Sequence, residues 1–160
     1  MKYFTYDWWF GEDLSNNDPA ERYSAHYRLI ENKLPKEIRT FVKEVNLHDS
    51  RELEIKRNEQ DHSISLKLLC YRYDDAFSSD SQFELMINYF DVSEFKVLSD
   101  IVSNETIEFD VSEDDLGYDE FDMIENNSFE HRLLFSSGME LKITFGGFSY
   151  HIGREVSVED

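Results

Sequence analysis

Residues Leu47-His48-Asp49-Ser50 set an imidazole beside a carboxylate, the pairing from which a general base is commonly built. The same two side chains can instead hydrogen-bond backbone where a helix gives way to a strand, and the hydrophobic pattern on either side favours that structural role. The other histidines, His26, His62, His131 and His151, are scattered. None stands at the i, i+4 spacing of a helical zinc site or beside a CxxC pair. Cys70 is the single cysteine, which excludes an intramolecular disulfide and a thiolate cluster. It falls on an apolar strand face, where a thiol is an inert small side chain. No GxGxxG, GxxxxGKS/T or GxSxG motif occurs. A calcium loop centred on Gly117 fails on spacing, because Ser112, Leu116 and Met123 would fill positions that need good oxygen ligands. The sequence therefore predicts no catalytic residue, no metal and no cofactor.

What the chain carries in abundance is negative charge. Its formal net charge is -19 at pH 7, and the excess is uneven: residues 101–160 hold three Lys or Arg against fifteen Asp or Glu. From Ser103 to Asn126, SNETIEFDVSEDDLGYDEFDMIEN, no Lys or Arg appears. Such crowding costs stability through self-repulsion and suits either a solvated face or a surface that attracts cations. Tyr118, Phe121 and Met123 are interleaved with the acids and supply side chains of the kind that anchor interfaces. The residues expected to bind a partner are accordingly Glu113, Asp114, Asp115, Tyr118, Asp119, Glu120, Phe121, Asp122 and Glu125. A basic protein fits this field, and the sign disfavours nucleic acid.

These residues need a folded scaffold, and the composition provides for one. Hydrophobic residues make up 40% and aromatics 15%, well above a disordered acidic chain, and 160 residues suit one domain, 1–160. Asp18, Pro19 and Glu21 read as an N-cap, a proline at the first helical position and an acid at the third. Tyr23, Tyr27, Ile30 and Leu34 follow at helical spacing. Pro35 then breaks or kinks the helix before Ile38, Phe41, Val42 and Val45 continue the stripe. Residues 1–46 are thus mainly helical.

Residues 47–155 are mainly β-sheet, because the apolar period changes to two. Leu53 and Ile55 begin it, a turn at Arg57–Asp61 follows, and Ile64, Leu66, Leu68 and Cys70 share one face of the next run. After a polar loop from Asp74 to Ser81, Phe83, Leu85, Ile87 and Tyr89 share a face of another. Ser93–Val102 fits a helix or a strand. Ile107, Phe109 and Val111 read as a short strand with an acidic outer face, and Phe129, His131, Leu133 and Phe135 as another. Ser137-Gly138 is a turn, Met139 to Phe145 alternates again, and Gly146-Gly147 permits a bulge before Phe148, Tyr150 and Ile152. The class expected is α+β: N-terminal helices packed on one face of a largely antiparallel sheet of five to seven strands.

Leu47-His48-Asp49-Ser50, directly before a strand, resembles a short motif of small bacterial α+β domains. Residues 129–150, FEHRLLFSSGMELKITFGGFSY, resemble the closing hairpin of such domains. Several of these are immunity proteins of polymorphic toxin systems. The resemblance implies a non-enzymatic protein that inhibits a cationic toxin, such as a nuclease, by binding it, and it brings no catalytic residues. The alternatives are a cytoplasmic accessory domain or an enzyme using His48 and Asp49. The N-terminal MKYFTYDWWFGEDL lacks a signal-peptide core and no segment reaches membrane-span length, so a soluble cytoplasmic protein is expected.

Overall fold

The computed structural model describes residues 1–11, 18–71, 81–98, 114–125 and 127–157. The fold is α+β. A single-turn helix α1 (Tyr6–Trp9) is followed by α2 (Pro19–Ile30), a 3-10 turn (Glu31–Lys33) and α3 (Lys36–Glu44). Asp18 caps α2 as its sequence predicts, its carboxylate accepting the Ala20 N–H at 2.9 Å with Pro19 at the first position. Leu34 ends the 3-10 turn, Pro35 restarts the chain into α3, and Leu34, Ile38 and Phe41 are all buried against the sheet.

Eight antiparallel strands are present among the described residues: β1 (Ser50–Asn58), β2 (Ser63–Tyr71), β3 (Ser81–Phe90), β4 (Glu94–Leu98), β5 (Asp115–Glu125), β6 (Ser128–Phe135), β7 (Glu140–Phe145) and β8 (Gly147–Ser157). Their order across the sheet is β4-β7-β6-β5-β1-β2-β3-β8. Pairing of β3 with β8 ends at Phe90 opposite Gly147, and pairing of β4 with β7 resumes at Glu94 opposite Thr144. At the corner between them, Gly146 N–H donates to Phe90 O at 3.0 Å and Ser93 N–H to Thr144 O at 2.9 Å. Both ends of the strand order therefore meet at one corner, and the sheet bends round on itself there. Gly146 marks this corner: a Cβ on it would come within 3.2 Å of Asp91 Cβ.

The period-two expectations for β2, β3 and β7 hold residue by residue, since Ile64 to Cys70, Phe83 to Tyr89, and Leu141 to Phe145 place their apolar members in the core. Ser93–Val102, ambiguous in sequence, is resolved as a strand over Glu94–Leu98. The strand expected at Ile107, Phe109 and Val111 lies outside the described residues, as does the polar loop over residues 74–80. The acidic stretch Asp115–Glu125, in which no strand is legible, is strand β5 and pairs with β6. Among the described residues no helix is long and apolar enough to cross a membrane.

Candidate partner-binding surface

Strands β5 and β6 are covered on both sides, and this decides where the acids go. Phe121, Phe129, His131, Leu133 and Phe135 face the core under α3, whose Phe41 meets Phe121 and His131 edge to face. Glu120, Asp122, Glu130 and Arg132 are on the opposite face and are buried as well. The N-terminal residues lie over that face: Glu120 accepts the backbone N–H groups of Lys2, Tyr3 and Phe4 at 2.9, 2.7 and 2.8 Å. A single carboxylate thus satisfies three successive donors and fastens the chain leading into α1.

The charges on this face alternate across four strands. Lys96 reaches Glu94 at 2.6 Å, Lys142 spans Glu94 at 2.9 Å and Glu130 at 3.3 Å, and Arg132 joins Glu130, Glu120 (3.2 Å) and Asp122 (3.7 Å). Asp122 also holds Lys2, and His26 Nε2 at 2.9 Å. Burial raises the Asp122 carboxyl, and hydrogen bonds from Lys2, His26 and the Met123 N–H more than offset it, leaving it below the usual carboxylate range.

The acid run is therefore not an unopposed face. Glu120 and Asp122 are 1% and 4% exposed and ion-paired, and Phe121 is 1% exposed in the core. The expectation that these three bind a partner is corrected: their partners are inside the molecule. Asp119 is half-buried and accepts from His131 Nε2 at 3.0 Å, while His131 Nδ1 meets the Tyr89 hydroxyl at 2.7 Å. The imidazole thus links the Tyr89 hydroxyl to the Asp119 carboxyl group. Burial, reinforced by the Asp119 charge, pushes the Tyr89 phenol well up and keeps it a donor. Asp114 closes the β6–β7 turn by accepting from Ser136 Oγ at 2.7 Å and Ser137 N–H at 2.9 Å. Asp115 and Glu125 are exposed, and Glu113 lies outside the described residues.

His48 has the structural role its sequence context favours, and its Nε2 stands 3.6 Å from the Asp49 carboxylate. His48 Nδ1 bonds the Gly117 carbonyl, so that nitrogen carries the proton, and Asp49, at φ 61°, sends its N–H to Leu116 O at 2.8 Å. Ser50 Oγ donates back to Leu47 O at 2.6 Å. The motif stitches the helix-to-strand handover onto β5. Cys70 is fully buried, and burial pushes its thiol up to about 12, as an inert core cysteine requires. Among the described residues no group of three or more His, Cys, Asp or Glu is arranged to hold a metal ion.

Tyr118 belongs to a surface that the acid run alone does not reveal. Its ring stacks on Phe4 at 4.9 Å and meets Trp8, Trp9 and His48 at 5.4, 5.2 and 5.3 Å. Trp9 continues to Phe10, and Phe10 to Tyr6. Phe10 is 51% and Tyr6 37% exposed, Trp8 and Trp9 are half-buried, and α1 has no fully buried residue. The signal was present in sequence as YFTYDWWF. Its meaning emerges only when β5 brings Tyr118 and Gly117 beneath it.

Gly117 is where this surface is seated. A Cβ there would stand 2.1 Å from the Trp9 ring, far inside contact distance. Gly117→Ala should therefore expel Trp9 from its place on β5, at a cost of about 1–3 kcal/mol. Trp8 and Trp9 are the chain's two tryptophans, so their emission should shift to the red while the far-ultraviolet circular dichroism of the sheet is retained. Unchanged emission would show that Trp9 is not docked on Gly117. Compared with known proteins, the chain matches no family model and no curated protein.

Proposed function

We propose that this chain is a non-enzymatic acidic binding protein of the immunity type, which inhibits a cationic bacterial toxin by covering its substrate-binding surface. The observation that carries this reading is the separation of the carboxylates into two groups. Glu120, Asp122 and Glu130 are buried and matched by the chain's own cations, whereas Asp7 and Asp115 are exposed on the segments that carry the aromatic surface of α1 and Tyr118. Burial, and then the Asp49 charge, raise the Tyr118 phenol, which ties that acid electrostatically to the cluster. An aromatic centre with an acidic rim has the composition of an interface hot spot for a basic protein. A nuclease fits best, since it must be positive where it holds phosphates.

Any cationic toxin domain encoded next to this protein supplies the test. Co-expression should restore growth of cells making that domain, and the purified pair should associate on the order of 10-fold more slowly at high than at low salt, because rim charges act on the encounter rate. Failure to bind or protect would remove the immunity reading. Association indifferent to salt would remove the role given to the acids.

A further inference from the structure

We propose that the aromatic surface on α1 receives an arginine side chain from a basic segment of the partner, the guanidinium lying against Trp9, Phe10 and Tyr6. The inference rests on the binding role proposed above and names the chemistry recognised at that site. A four-residue helix whose aromatic rings are all at least partly exposed gains little from burial, so the rings have a use at the surface. They are held from below: Trp9 covers Gly117, and Tyr6 lies over Gly138, where a Cβ would come within 3.1 Å of its ring.

The charge around these rings is of one sign in sequence. No Lys or Arg occurs from Tyr3 to Glu21 or from Asp114 to His131. Arg51 stands opposite Asp115 in the β1–β5 register, and Asp7 and Asp49 are exposed acids on the same rim. A cation meeting such rings is attracted by their faces as well as by the carboxylates. A planar, weakly hydrated guanidinium stacks on them where an ammonium does not. The chain already makes this pairing next door, with Arg22 5.6 Å from the centre of the Tyr3 ring.

The probes are a decapeptide of arginine and its lysine counterpart of equal charge, titrated against tryptophan emission at low salt. The arginine peptide should bind saturably and about fivefold more tightly than the lysine peptide. The double variant Tyr6→Ala with Phe10→Ala should keep the wild-type circular dichroism of the sheet, with at most a small fall in thermal midpoint, and lose the preference. Equal affinity for the two peptides, or a preference unchanged in the double variant, overturns the proposal. The toxin assay separates this from the parent reading. Full inhibition by the double variant would leave the immunity role standing and overturn the aromatic surface as its contact. Arginine preference in a protein that inhibits no toxin would leave the surface standing and remove the role.

Discussion

Arg132→Leu is expected to cost about 3–5 kcal/mol of folding stability, the range for removing one member of a buried ionic group. The guanidinium is the cation that Glu120, Asp122 and Glu130 share, and at 8% exposure it has little water to replace it. The pH dependence should also invert. In the wild type, Asp122 has a lowered pKa, so its contribution is present above the unfolded value of about 3.9 and is lost as pH falls through the lower folded value. In the variant Lys2 and His26 still hold Asp122 and Lys142 still holds Glu130, while Glu120, 1% exposed, has lost the cation it pairs with, and desolvation of that charge favours taking up a proton. The folded variant then binds more protons than its unfolded chain, so its stability should rise as pH falls from about 7 to about 5. Urea unfolding at both pH values reads the effect. A loss under about 1 kcal/mol, or a variant that weakens on acidification, would mean that the layer is solvated.

Phe121→Ala should destabilise by about 3–5 kcal/mol, the cost of emptying a buried phenylalanine site. The ring stacks on His131 at 3.8 Å and meets Phe41 and Phe148 edge to face, so no flexible neighbour stands ready to fill the space. For a domain of this size the thermal midpoint should fall by about 10 °C or more. Partner binding should persist in the fraction that remains folded. An interface anchor would give the opposite signature, a normal midpoint with a raised off-rate, and that result would return Phe121 to the surface.

The sequence by itself determined the features whose causes are local. The Asp18-Pro19 cap, the break at Pro35 and the alternation of β2, β3 and β7 depend on residues within a few positions of one another, and each stands in the structure where its pattern puts it. The backbone-stitching role of His48 was legible for the same reason, although its acceptor, Gly117 O, was not. Strand β5 was hidden because acidic residues have low strand propensity and because bulges at Leu116–Tyr118 and Met123–Glu125 break its alternation. The fate of its charges was set further away still. Lys2 reaches Asp122 and the Lys2–Phe4 backbone reaches Glu120 across more than a hundred residues of chain, while Arg132 arrives from the neighbouring strand. A run of like charge in one segment says nothing of which cations the fold will carry to it. Only the pairing of β5 with β6, and the N-terminal strap laid over them, decided which acids were neutralised and which side chains, Trp9 and Tyr118 among them, were gathered at the surface, because strand pairing joins residues that no local pattern relates.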